Sequence, residues 1–456
     1  MREWIIRAGY VVGLGAILAF VFLGAPKEVV YTDGKIHFDY WYNVGQEDVI
    51  PWPVIAFNAS QDRIVVHPVA IPWQESEKKI LTAVISGDPP SLVSQFVPLV
   101  KWASRMALRP LDNFITQDNF DTGIFFPALM DEMMYMDRVF GLPQATAAYA
   151  LYYNKDIFRE AGLDPEQPPR TWDELIQAAH AIDSIDADGR IQRMGYLPDW
   201  DNLLPSIMQT SLLMAWELGA TLLSDDGRTA ELDDPRFAKS LQWIVDYYDD
   251  YDIKRVRAFR GTFGYDTQHC FISEKVGMFI GSNFIMDNLQ RYRPDLDYGV
   301  TTIPTHELGG PTASPAGVFW YAIPRNAPEA EAAWEFMAYS TQAEIQLEAM
   351  QHTKENLFPS NRIAAQDPIF QDDPYMKIFA NQMNHAHSPA VVPLAHEVFW
   401  RELNMNAVDL IIDKTKTVQE VLDLANAQVQ RELSAALEYQ DYVLSIMHFE
   451  TEEETP

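Results

Sequence analysis

The side chains in this sequence best placed to act chemically are rings and amides at the ends of extended runs. From Lys35 the segment KIHFDYWYNVG alternates apolar Ile36, Phe38 and Tyr40 in the two-residue period of a strand, then delivers Tyr42 and Asn43 to a turn at Gly45. In open α/β sheets a ligand lies beyond the carboxyl ends of the strands, so Tyr42, Asn43, Gln46 and Glu47 stand where a bound molecule would meet amides and a ring. Tyr42 either meets that molecule or roofs the sheet, and Trp41 is read as core. This is recognition chemistry. Covalent chemistry lacks its minimum parts, since the chain has no GxSxG elbow, no Walker A loop, no GxGxxG and no HExxH. With 65 acidic residues, carboxylate pairs are unavoidable and do not argue for a glycosidase. His385, His387 and His396 form an H-x-H arrangement without a cysteine, which reads as a solvated loop, so neither a metal nor a cofactor is expected.

The elements that must position these groups are clearest between Gly141 and Ile182. Small and β-favouring residues lead to Tyr149, Leu151, Tyr152 and Tyr153, a strand that stops at Asn154. A brief helix follows, closed by Gly162 and barred from continuing by Pro165, Pro168 and Pro169. Thr171-Trp172-Asp173-Glu174 then has the capping-box form ahead of Leu175, Ile176, Ala179 and Ile182 at helical spacing. Earlier, Pro51 and Pro53 predict a broken or shortened helix near Trp52. Pro68 predicts an edge or bulged second strand, and the helix after Trp73 turns Ile80, Leu81, Val84 and Ile85 inward. Val418 to Leu433 is a further amphipathic helix, capped by Thr417.

A chain of 456 residues exceeds what one core usually holds, and 48% hydrophobic content excludes wholesale disorder. The net charge of −31 argues against a nucleic-acid groove and against a purely anionic ligand. Arg2 and Arg7 precede a short apolar run, which reads as an export signal ending near Ala25 or as a retained anchor. The lone Cys270 has no partner for an internal disulfide and is expected to pack as a small apolar residue.

The order of strand, YYNKDIF, short helix, proline-rich turn and TWDEL helix resembles the family-1 extracellular solute-binding proteins of bacterial ABC importers, the maltose-binding-like group. The resemblance continues through the Gly87-Asp88-Pro89-Pro90 turn, where Ser91 replaces the family's Asp. It extends to the FISEKVGMFIGSNFIMDN segment and to the run YGVTTIP, Gly-rich loop and GVFWYAIP. Phe358-Pro359-Ser360-Asn361-Arg362 resembles a further family turn, so the likeness spans 35–437. It implies an α/β, two-lobe periplasmic-binding-protein fold, type II-like, with interwoven lobes joined by hinge crossovers. The expected division is 1–25 as signal or anchor, 35–146 with 301–352 as one lobe, 147–300 with 353–445 as the other, and 446–456 as an acidic tail.

The same resemblance places Gln95, Trp200, Asn283, Phe284 and Trp400 beside the interlobe cleft, with Trp200, Phe284 and Trp400 as a platform for sugar rings. Trp320, in the middle of its strand, is either lobe core or cleft wall. The implied function is reversible capture of a carbohydrate outside the cytoplasm and delivery to ABC permease subunits, by a monomer that is not an enzyme. A membrane-anchored sensor and a secreted carbohydrate-active enzyme are the alternatives from other classes.

Overall fold

The computed structural model describes residues 31–44, 50–198, 207–264, 266–352, 357–403 and 414–453. The expected signal or anchor therefore lies outside the described residues, as do Gln46, Glu47 and Trp200. The first part of the chain gives β1 (Ile36–Val44), α1 (Trp52–Ser60), β2 (Ile64–Pro72), α2 (Trp73–Ser86), β3 (Leu92–Gln95) and β4 (Leu142–Ala147). A second set follows directly: β5 (Tyr149–Asn154), α3 (Lys155–Glu160), α4 (Trp172–Ile182), β6 (Ser184–Ile185), β7 (Ile191–Tyr196), α5 (Ile207–Glu217), β8 (Val276–Ser282), α6 (Ile285–Tyr292) and β9 (Tyr298–Thr301). Then come β10 (Gly317–Ala322), α7 (Ala330–Ser340), α8 (Ala343–His352), β11 (Phe358–Pro359), α9 (His396–Arg401) and α10 (Val418–Glu453).

Among the described residues two large sheets form, one ordered β11-β4-β10-β3-β1-β2 and one ordered β9-β5-β8-β7-β6, beside two small two-stranded ones. The expected α/β architecture is what the chain adopts. β1 pairs in parallel with both β2 and β3, whereas β10 runs antiparallel to β3 and β4. Only Ala148 separates β4 of the first sheet from β5 of the second, so the chain crosses between sheets in a single residue.

Local signals explain most of these boundaries. Asn154 caps α3 by accepting the Ile157 N–H at 2.9 Å, and Gly162 takes the left-handed conformation that stops the chain from going on as helix. Thr171 accepts the Glu174 N–H at 3.2 Å while the Glu174 carboxylate reaches back to the Arg170 N–H at 2.7 Å. Thr417 and Glu420 cap α10 reciprocally, but that helix runs on to Glu453, well past Leu433. The prolines near Trp52 neither break nor kink α1. They stand at its start, Pro51 as cap and Pro53 within the first two positions, where a missing N–H costs nothing. Ile85 corrects another expectation, being 85% exposed while Ile80 is buried. Five residues on from Ile80, its side chain has turned about 500° and points away from the sheet.

Pro68 sits in β2 at the sheet's edge, where its missing donor breaks no ladder. Gly299 in β9 leaves room for the Tyr153 ring, which a Cβ would meet at 2.2 Å. The first sheet is backed by a cluster that includes Phe38, Tyr40, Phe57, Trp334 and Phe336, and the second by the larger cluster around Tyr152, Phe271 and Phe279. Cys270 is fully buried in that second cluster, as its type suggests.

Candidate functional site

β1 and β3 are parallel neighbours, so their carboxyl ends open on the same side of the first sheet. There Asn43 and Gln95 meet, the Asn43 Nδ2–H donating to Gln95 Oε1 at 3.0 Å and the Gln95 amide returning at 3.4 Å. Both line a cavity of about 800 Å³ whose walls come from both sheets. From the second sheet's side come Ser282 at the end of β8 and then Phe284, Asp287 and Asn288 at the start of α6.

Four rings run across this cavity. Trp73, the first residue of α2 directly after β2, lies 5.8 Å from Phe96, Phe96 lies 4.6 Å from Phe319, and Phe319 meets Phe284 edge-on at 6.3 Å. The run therefore begins on the first sheet and ends on the second. Trp52 adds a further ring, stacked on His352 with centroids 3.5 Å apart and donating its indole N–H to Glu348 at 3.3 Å. Such ring faces bury the C–H surface of a flat or saturated ring well.

The polar lining is mostly uncharged. Beside Asn43 and Gln95 stand Gln74, Gln144, Gln346 and Ser94. Among the described residues the lining holds no Lys and no Arg, and its one carboxylate is Asp287. His269, almost wholly buried, is pushed down to about 3 by that burial and so stays neutral. Its Nδ1 accepts the Phe271 N–H at 3.2 Å, which leaves the ring proton on Nε2.

Of the residues singled out in the sequence, the structure brings Tyr42, Asn43, Gln95 and Phe284 to this cavity. It turns three others elsewhere. Asn283 is fully buried and holds the crossover, its Oδ1 accepting the Ala148 N–H and its own N–H donating to the Ala148 carbonyl, both at 2.9 Å. Trp320 points to the opposite side of β10 from Phe319, donates its indole N–H to the Val97 carbonyl at 2.7 Å and packs edge-on against Trp102. Trp400, on α9, lies half-buried against Phe399 and His396 and does not line the cavity. His387 stacks on Trp216 at 4.8 Å, and no group of three metal-ligating side chains is found among the described residues.

Trp73, Phe319, Asp287 and Asn288 were missed. The strand-end rule that picked Tyr42 applies equally to Trp73, which follows β2. Phe319 carried no such signal, because β10 is an inner strand with rings on both faces and alternation alone does not say which face meets the cavity.

Two sheets joined by a one-residue crossover, with a ring-lined cavity between them, describe a protein that captures a solute. The sequence of this chain matches the family model of bacterial extracellular solute-binding proteins over residues 54–378. The chain belongs to that family. Among curated relatives of this solute-binding protein, a binding protein of Brucella abortus (strain 2308) is 26% identical over 418 residues, covering 90% of this chain and 94% of that one. The sn-glycerol-3-phosphate-binding periplasmic protein UgpB of Brucella melitensis is 25% identical over 339 residues, 70% of this chain and 73% of that one. Solved structures share the fold. CpMnBP1 with mannotriose bound superposes with a TM-score of 0.70 at 24% identity, covering 87% of this chain and all of that one. The cyclic alpha-maltosyl-1,6-maltose binding protein from Arthrobacter globiformis gives 0.71 at 21% identity, covering 88% of this chain and all of that one. Among the described residues of the solute-binding protein, no helix is long and apolar enough to cross a membrane.

Proposed function

We propose that this solute-binding protein captures a carbohydrate bearing no phosphate between its two sheets and hands it to the permease of an ABC importer. The observation that carries the reading is the run Trp73, Phe96, Phe319 and Phe284 beside amide side chains, in a lining without Lys or Arg among the described residues. Pyranose rings offer apolar C–H faces to such rings and hydroxyls to such amides. A phosphorylated solute, as the UgpB relatives' name gives for them, is the second reading, and the described lining residues offer it no Lys or Arg of the kind phosphate recognition uses. The work is capture and release, without turnover. Export by the N-terminal apolar segment belongs to the same proposal.

The lobes in this reading are 35–146 with 301–352, and 147–300 with 353–445. The change of sheet between Ala147 and Tyr149 supports the first boundary, while the short β11 reaches back onto the first sheet. Closure about the crossovers would add second-lobe contacts that the open form lacks. A thermal-shift screen of the purified protein against neutral oligosaccharides and glycerol phosphates is expected to return a sugar. Small-angle scattering with that sugar at saturation is expected to show a smaller radius of gyration. Stabilisation by the phosphates alone would replace the carbohydrate reading, and an unchanged radius would remove lobe closure.

A further inference from the structure

The C-terminal part of the chain touches both lobes. α10 is fastened to the second lobe, where the Asn426 and Gln430 side chains accept the Leu232 and Ala230 N–H groups at 3.0 and 2.7 Å. α9 and the Pro393–Ala395 turn pack on α10 and also reach the first lobe. There the turn meets the short helix Val100–Ala103, and Lys101 of that helix forms an ion pair with Glu397 of α9. A second polar contact joins the same segment to the first lobe, the Ser388 hydroxyl donating to the buried Glu132 carboxyl at 2.9 Å. None of these four side chains lines the cavity.

Their place follows from β10. Phe319 faces the cavity, while Trp320 points to the other side and packs on Trp102, the neighbour of Lys101. Phe319 and Trp320 pair with Ala145 and Pro143 of β4, the strand that runs into the Ala148 crossover. The strands at the pivot thus have the cavity on one face and the Lys101 contact on the other, and a rotation that narrows the cavity widens the back. We propose that the Lys101 to Glu397 pair and the Glu132 to Ser388 bond form a latch behind the crossover, which opposes lobe closure and so sets sugar affinity without touching sugar. The inference rests on the two-lobe capture reading and adds its regulation. Arg105 sets a second cation facing Glu397, and Glu77 of the first lobe also pairs with Lys101. Opening the latch exchanges these contacts for water and leaves the buried Glu132 without its hydroxyl donor, which is costly. Apparent affinity falls by the fraction of molecules that have closed, so a latch favouring the open form weakens binding.

The test combines Glu397→Lys with Ser388→Ala in the full protein. The first sets a cation against Lys101 and Arg105, and the second takes the donor from Glu132. Calorimetric titration with mannotriose and maltotetraose is expected to show the double variant binding about three- to tenfold more tightly than the parent, while its thermal melt comes slightly earlier. A merely structural role for these contacts gives the earlier melt with equal or weaker binding. Asp441→Asn, which breaks the Arg228 pair inside the second lobe, is the control and is expected to leave affinity unchanged. Small-angle scattering without sugar is expected to give the double variant the smaller radius of gyration. Equal or weaker binding by a folded double variant, or the same gain from Asp441→Asn, overturns the latch and leaves the capture reading standing. Heat from neither sugar with any of the proteins overturns the carbohydrate reading, and scattering then decides the latch alone: equal radii overturn it.

Discussion

Trp320→Ala is expected to lower the unfolding free energy by about 3 to 5 kcal/mol, the cost of a large cavity in a packed core. Trp320 has no exposed surface, and its removal orphans the Val97 carbonyl and strips the edge contact from Trp102. The neighbouring change, Phe319→Ala, is expected to do the reverse. It shortens the run of rings in the cavity, and losing the burial of one phenyl face, worth roughly 1.5 to 3 kcal/mol, weakens sugar binding by about one to two powers of ten. Because Phe319 already touches the cavity, its loss leaves no sealed void, so stability should fall far less than for Trp320→Ala. Denaturant melts and titrations on the two variants read both quantities. A Trp320→Ala protein that melts normally but binds no sugar would reverse the assignment of the two faces of β10.

That pair marks how far the sequence could be read. The architecture was legible because its signals are local. Asn154, Gly162 and the Thr171 to Glu174 box each act within four residues, and they set helix boundaries whatever the rest of the chain does. Amides at strand ends were legible for a similar reason, since Asn43 and Gln95 need only parallel strands ending on one side to come together. Face assignment inside β10 was not, because this inner strand carries rings on both faces, and alternation says only that Phe319 and Trp320 point opposite ways, not which of them meets the cavity. Asn283 was placed at the right turn but in the wrong role. Its amide is occupied by Ala148, whose crossover position became visible only once the two sheets were seen to part there.

The remaining large effect concerns Glu217, at the end of α5, and the segment 302–316 that carries the chain back from the second sheet to the first. Burial pushes its carboxyl up to about 9, although the Trp172 indole N–H donates to it at 2.9 Å and the backbone N–H groups of Ala313 and His306 also favour the charged form. The group is therefore protonated in the folded protein at neutral pH and ionised in the unfolded chain. Folding thus binds a proton between the unfolded value of 4.5 and the folded value of about 9, so stability falls as pH rises through that window and is unaffected below it. By pH 7 the penalty reaches about 3 kcal/mol, taking 1.36 kcal/mol for each unit above 4.5. Glu217→Gln keeps an oxygen for Trp172 and removes the titration. It is expected to melt close to the parent near pH 5 and to be the more stable protein by on the order of 2 to 3 kcal/mol at pH 7, with the gap widening toward pH 9. Glu132, pushed up to about 7 by burial against the help of the Ser388 hydroxyl, bends the same curve, but it does so in both proteins and cancels from the difference. Paired denaturant melts across this range measure the gap directly. A gap independent of pH would mean that Glu217 is ionised in the fold, and that the backbone of the crossover, through Ala313 and His306, stabilises its charge more than burial opposes it.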